Sequence, residues 1–303
     1  MTETAPLIRL GLGTAQFGSD YGISNRHGHP PNAEIRAILA CTVGSGIRYV
    51  DTATTYANAE ALLGRHLPPD HRMRIVTKAD PVNDLAIEPR HGRRLIDGLR
   101  RSLDRLKIER MYGLLVHRVS DLAKAGAEHL VDALIEAKNR NLVSRIGISI
   151  YDADELTLAE RRFSPEIVQV PLNVLDQRLI DSGTLGRLKM KGAEIHARSV
   201  FLQGLLLMDP TTIPEFFETI RGQIADLQTH WARSGLRPLA GCLAFVFDRP
   251  EIDVAIVGVN RRSELEEIKA AVASIGDRKS DVPAVLAVNP IYLNPSSWPV
   301  RLH

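Results

Sequence analysis

Four side chains in this chain are of types that could act together on one carbonyl group: Asp51, Tyr56, Lys78 and His117. Asp51 closes the apolar run "IRYVD", and Tyr56 follows five residues later. Lys78 ends "RIVTK" and His117 ends "YGLLVH". A phenol, with an ordinary pKa of about 10, is a poor acid or base at neutral pH unless its surroundings help it. A neighbouring ammonium favours the phenolate. A carboxylate paired with that ammonium fixes it and offsets the cost of burying it. A neutral imidazole can donate a hydrogen bond to the carbonyl oxygen and orient it. The chemistry that suits the set is proton transfer to a carbonyl oxygen. No side chain can supply a hydride, so a reduction would need a nicotinamide cofactor to bring one. The set holds no metal cage and no obvious nucleophile. His27 and His29 in "HGH" have no carboxylate or cysteine at ligand spacing, and they read as a polar loop.

Polar groups are expensive inside apolar strands, so their positions along the chain matter. Eight short runs rich in valine and isoleucine read as parallel strands: "LIRLGLG", "IRYVDTA", "RIVTKA", "YGLLVH", "VSRIGIS", "EIVQVPLN", "EIHARSV" and "VAIVGV". Helical patterns lie between them. Leu95, Ile96, Leu99, Leu103 and Leu106 follow the helical repeat within Arg93 to Leu106, and Leu130, Val131, Leu134 and Ile135 do so further on. Ser263 and Glu266 have capping-box spacing before a last helix. This alternation predicts a single (β/α)8 TIM barrel over residues 1–303, with a doubly wound sheet as the alternative. In a barrel the C-terminal strand ends face the active site, and they gather Asp51, Lys78, His117, Ser149, Gln169, Asn173, Arg198 and Ser199. The stretch from Gly204 to Arg237 exceeds one connection and is expected to fold over the site. The proline-rich tail "AVNPIYLNPSSWPVRLH" is a C-terminal extension expected to pack across one end of the barrel.

The stretch "LGLGTAQFG" looks like a phosphate loop, but Gly11 and Gly13 are followed only by Gly18. A dinucleotide fingerprint needs its third glycine sooner, with a helix opening directly behind it. Apolar periodicity resumes only near Asn32, so this stretch is expected to be a strand ending in a glycine-rich turn, with no helix there.

Bulk composition excludes several classes. Thirty-eight Lys and Arg against 36 Asp and Glu give a formal net charge of +2, which provides no reason to invoke nucleic acid or an anionic membrane. Cys41 and Cys242 form no metal or disulfide pattern. No apolar run has the length of a membrane span, and no N-terminal signal pattern is present, so a cytoplasmic protein is expected. Composition leaves the oligomeric state undetermined.

The quoted motifs together resemble the aldo-keto reductases, (β/α)8 barrels that use a nicotinamide cofactor without a Rossmann domain, and the similarity covers nearly the whole chain. "GIRYVDTATTYANAEALLG" is similar to the family's most specific signature and implies that Asp51 and Tyr56 belong to its catalytic tetrad, completed by Lys78 and His117. The resemblance places Gly13 and Thr14 beside the nicotinamide half of NADPH, and Ser149 and Gln169 on its carboxamide. Ile150 stands where many members carry asparagine, and Arg198 where many stack an aromatic ring on the nicotinamide. Ser199 and the backbone of Phe201, Leu202, Gln203 and Gly204 are implied to line the pyrophosphate. "IVGVNRRSELEEI" resembles the adenine-end motif, bringing Gly258, Asn260, Arg261 and Glu267, with Ile268 replacing the usual asparagine. Arg261 is the expected ligand of the adenosine 2′-phosphate and the reason to expect NADPH over NADH.

The motifs look most like a bacterial branch associated with surface-polysaccharide and unusual-sugar pathways, which implies an aldehyde or ketone substrate of sugar or nucleotide-sugar type. Gln16, Phe17, Tyr292 and Trp298 are candidate lining residues, with simple packing of the tail as the alternative for the rings. Two other functions fit parts of the same pattern: a non-catalytic nicotinamide-nucleotide-binding redox sensor, and a lyase forming a Schiff base through Lys78.

Overall fold

Eight parallel strands close on one another in sequence order, each pairing with its neighbours and the eighth with the first. The computed structural model describes residues 7–25, 28–68, 71–276, 282 and 288–299. The strands are β1 (Leu10–Gly13), β2 (Tyr49–Asp51), β3 (Arg74–Ala79), β4 (Met111–Val116), β5 (Val143–Ser149), β6 (Ile167–Pro171), β7 (Glu194–Arg198) and β8 (Val254–Gly258). The expected barrel is therefore present, and all eight anticipated runs supply its strands. Their near-continuous burial follows from having packed side chains on both faces. Residues 7–9, expected to begin the first strand, instead form a short 3-10 turn.

Helices α1 (Ala15–Gly18), α2 (Asn32–Gly44), α3 (Ala59–His66), α4 (Pro89–Leu106), α5 (Glu128–Asn139) and α6 (Ala153–Glu160) cover the first half of the barrel. The second half carries α7 (Arg178–Asp181), α8 (Thr184–Met190), α9 (Glu218–Arg233), α10 (Pro238–Phe247), α11 (Arg262–Ile275) and α12 (Pro290–Leu293). Helix α4 begins four residues earlier than its apolar repeat suggests, because Pro89 supplies a preset φ at its first position. Ile96, Leu99, Leu103 and Leu106 are buried as the repeat requires. On α5, Ile135 is exposed, so its apolar stripe is narrower than expected.

Three other expectations are corrected. A single helical turn, α1, does open directly behind β1, although it is only four residues long. The long segment after β7 is not loop alone, since it contains the 16-residue α9, whose Trp231 indole lies against Gly241 of α10. Helix α11 starts at Arg262, with Arg261 at its N-cap, so Ser263 lies inside the helix and forms no capping box with Glu266. Glu266 instead accepts from Lys269 and from the Cys41 thiol.

The narrow lower end of the barrel is filled. Tyr49 stands edge-on to Tyr112 and His196, with centroid separations of 5.8 and 5.3 Å. Tyr112 donates to Glu194 at 2.6 Å, which also lies 2.7 Å from His196 Nε2. This end is a packed polar core, and the opening lies at the opposite, C-terminal strand ends. The described part of the tail packs there: Trp298 meets Phe217 at 4.8 Å and Tyr292 meets Phe216 at 5.5 Å. The last four residues of the tail lie outside the described residues, as does His27.

Gly18 explains the glycine spacing of "LGLGTAQFG". A Cβ built there would overlap the backbone carbonyl of Tyr56, so only glycine lets α1 approach the loop that carries the tyrosine. Gly18→Ala is expected to cost about 1–3 kcal/mol, the range for overpacking, because both clashing atoms belong to backbone. Urea denaturation tests this, and a variant as stable as the parent would show that the contact is not a constraint.

Candidate active site

Lys78 is 1% exposed and lies at the upper end of β3. Its ammonium donates at 2.7 Å to both oxygens of Asp51, at 3.0 Å to the Thr52 carbonyl and at 3.4 Å to the Tyr56 hydroxyl. Desolvation works against the charge, but the Asp51 carboxylate and the Tyr56 oxygen outweigh it and hold the lysine above its usual range. The amine is thus held protonated, which argues against the Schiff-base lyase, whose nucleophile must be a free amine.

The strand register brings the partners together. Asp51 pairs laterally with Gly13 and Val76, and it receives a further hydrogen bond from Gln169 Nε2 at 2.7 Å. Thr14 donates to the Asp51 carbonyl through both its backbone N–H and its hydroxyl, at 3.0 and 2.9 Å. Tyr56 sits on a short turn between β2 and α3, entered through left-handed Ala57 at φ 45° on its far side. Glu60 of α3 fastens that turn, a role not legible from its place in a helical pattern. Only 2% exposed, it accepts from Thr77 at 2.7 Å, the residue beside Lys78, and from Arg105 Nε at 2.9 Å.

His117 follows β4 with its ring edge-on to Tyr56, the centroids 6.4 Å apart. Its Nδ1 is buried and has no hydrogen-bond partner among the described residues. Burial, reinforced by the charge on Lys78, pushes the imidazole down to about 4. The ring is therefore neutral at physiological pH and carries one N–H, able to donate to a carbonyl oxygen without bringing a second positive charge beside Lys78.

These groups stand at one end of a cavity of about 570 Å³. Gly13, Thr14, Asp51, Tyr56, Lys78, His117, Ser149, Gln169, Arg198, Ser199, Phe201, Gln203, Gly204, Gly258, Asn260 and Glu267 all line it, so nearly every residue expected at the site is brought together. Ser149 donates to the Gln169 carbonyl oxygen at 3.4 Å, leaving a pair of buried amide and hydroxyl groups facing the cavity. Two expected residues are not in the wall. Leu202 is fully buried beneath it, and Arg261, the N-cap of α11, is exposed outside it. Phe17, Tyr292 and Trp298 also stay out of the wall; the two tail rings pack on Phe216 and Phe217, while Gln16, Pro295 and Ser296 face in.

Arg198 replaces a ring with a cation. Its guanidinium lies 4.2 Å from the centroid of Tyr151, donates to the Ile150 carbonyl at 3.0 Å and to Ser199 at 3.4 Å, and makes no ion pair among the described residues. Beyond it the backbone turns left-handed at Ser199 (φ 59°), Leu202 (47°), Gln203 (55°) and Gly204 (91°). Within this turn the Leu202 N–H donates to the Ser199 carbonyl and the Gly204 N–H to the Phe201 carbonyl, both at 2.9 Å. Above it, Ser24 donates to the Gln203 carbonyl at 3.4 Å and Asn25 to the Asn260 side chain at 3.3 Å. The loop after β1 thus reaches across to the loops after β7 and β8. Tyr21 and Tyr151 also line the wall; each follows a strand end in sequence, which was the available signal for them.

A model of the aldo/keto reductase family matches residues 9–283. The chain belongs to the aldo/keto reductase family. Enzymes of this family are oxidoreductases that act on carbonyl groups and use NADPH. Methylglyoxal reductase DkgB of Escherichia coli O157:H7 is 31% identical over 144 residues, which is 46% of each chain, so the match spans about half the length of that relative. Among solved structures, the holo form of aldo-keto reductase AKR11C1 from Bacillus halodurans is 18% identical with a TM-score of 0.69, over 87% of this chain and 86% of its own. An aldo-keto reductase from Klebsiella pneumoniae in complex with NADPH is 19% identical with a TM-score of 0.64, over 87% and 85%. At these identities the two structures speak to the fold. Among the described residues, no helix is long and apolar enough to cross a membrane, and no cluster of His, Cys, Asp and Glu could hold a metal ion.

The depressed value for His117 has a consequence for stability. Folding prefers the neutral ring, so its contribution is fully present above about pH 6.5 and is lost as pH falls towards 4. Denaturation midpoints measured across that window should fall on acidification by roughly 1–3 kcal/mol more in the parent than in His117→Gln. Identical slopes would show that the imidazole is not held neutral.

Proposed function

We propose that the chain reduces an aldehyde or ketone to the alcohol with NADPH, and that Tyr56 is the proton donor. The observation that carries this reading is the single buried ammonium of Lys78 shared between Asp51 and the Tyr56 hydroxyl. A nicotinamide cofactor, its carboxamide held by Ser149 and Gln169, would supply the hydride when bound. The carbonyl oxygen then takes the proton from Tyr56 Oη, and the phenolate left behind is stabilised by Lys78. Asp51 keeps Lys78 in place and charged. His117, neutral and lining the cavity, donates to the same oxygen and fixes its direction.

The cavity fits a dinucleotide along its length. Ser149 and Gln169 offer the hydroxyl and amide that a carboxamide needs, beside Tyr56 and Lys78. The turn through Ser199, Val200, Phe201, Gln203 and Gly204 lines the cavity where the pyrophosphate would lie. The residues from Gly258 to Ile268 remain for the adenosine end. For the substrate we propose a sugar or nucleotide-sugar carbonyl. The support is a lining of aromatic faces and hydrogen-bonding groups, Tyr21, Tyr151, Arg198 and Gln203, near the reacting end.

Tyr56→Phe is expected to lose on the order of a hundredfold in turnover while still binding NADPH, since the hydroxyl acts on substrate. Lys78→Met should abolish turnover and also destabilise the fold by about 3–5 kcal/mol, because Asp51 is left buried without its partner. The assay is loss of NADPH absorbance with sugar aldehydes, keto-sugars and methylglyoxal as a reference 2-oxoaldehyde. A phenylalanine variant that turns over its best substrate at the parent rate would remove Tyr56 from the mechanism. Activity confined to methylglyoxal would overturn the sugar assignment.

A further inference from the structure

The far end of the cavity carries the opposite charge from the one a phosphate seeks. Its lining residues are Asn260, Glu264, Glu267 and Ile268, and among the described residues the lysine and arginine of the wall, Lys78 and Arg198, stand at the catalytic end. Helix α11 begins here, and free N–H groups at a helix start ordinarily favour anions. In this chain one of those donors, and one just ahead of the helix, are already taken by carboxylates. The Asn260 N–H donates to Glu264 Oε2 at 2.7 Å, and the Arg262 N–H donates to Glu34 Oε1 at 2.6 Å. The two arginines beside them do not compensate. Arg261 is exposed outside the wall, and Arg262 lies 3.5 Å from Glu266.

We infer that Glu264 is the specificity-determining residue at the adenosine end, holding down the advantage that NADPH would otherwise have over NADH. The inference rests on the proposed function, which puts the nicotinamide at Tyr56 and leaves only this end for the adenosine. A ribose 2′-hydroxyl can donate to a carboxylate here, whereas a 2′-phosphate meets a like charge in the seat it would occupy. Repulsion between charges a few ångströms apart is substantial even when partly solvated. NADPH still binds, through the rest of the cavity, but its extra phosphate contributes little.

Glu264→Gln separates charge from shape, because the amide oxygen can still accept from the Asn260 N–H. Cofactor binding is read by calorimetric titration of NADPH and NADH into the full chain, without any substrate. The variant should bind NADPH at least about fivefold more tightly and NADH within about twofold of the parent, and the gain should shrink as salt rises. Glu264→Asp, which keeps the charge, should retain the parent's ratio of the two affinities. Unchanged or weaker NADPH binding in Glu264→Gln, an equal gain for both cofactors, or the same gain in Glu264→Asp would each overturn the inference. A parent chain that binds neither cofactor would overturn the functional reading beneath it, which makes the two failures distinguishable.

Discussion

An ammonium group buried as completely as that of Lys78 has lost most of its hydration, a penalty of several kcal/mol even after the surroundings relax. It survives in the barrel only because Asp51, the Thr52 carbonyl and the Tyr56 hydroxyl surround it. Each of those groups is in turn fixed from elsewhere. Asp51 is held by Gln169 and, through its backbone, by Thr14. The Tyr56 turn is held by Glu60 against Thr77 and by α1 through Gly18. Strands β1, β2, β3 and β6 therefore converge on one charge, and a closed parallel barrel lets four separate segments do so without long loops. The same closure fills the lower end with Tyr49, Tyr112 and His196, so the polar cavity opens only at the upper strand ends.

Much of this was legible in the sequence because its physical signals are local. Short runs of valine and isoleucine can only be strands covered on both faces, and an aspartate, a lysine and a histidine each ending such a run define one rim of a barrel. Signals that depend on exact boundaries were less legible. The start of α11 lies one residue earlier than expected, at Arg262 and not Ser263, with Arg261 as its exposed N-cap. Leu202 had a place in the right segment, but a left-handed turn buries its side chain beneath the wall. Glu60 gave no sign in sequence, since a glutamate in a helix ordinarily faces water. Its role appears only when Thr77 and Arg105 close around it. Gly18 was visible as a glycine, yet its reason, the carbonyl of Tyr56, is 38 positions away in the chain.

The loop after β1 bears on how quickly the cavity can exchange its contents. Among the described residues, Ser24 to Gln203 and Asn25 to Asn260 carry it across, and both hydrogen bonds are long, at 3.4 and 3.3 Å. A hydrogen bond in a part-exposed setting contributes about 0.5–1.5 kcal/mol net, so the two together hold the crossing shut by roughly 1–3 kcal/mol. That corresponds to an unlatched fraction of roughly one molecule in ten to one in a hundred at any moment. The crossing is thus a latch and not a lock. A long ligand lying beneath it would be retained by contacts worth only a few kcal/mol, less than a domain's own stability.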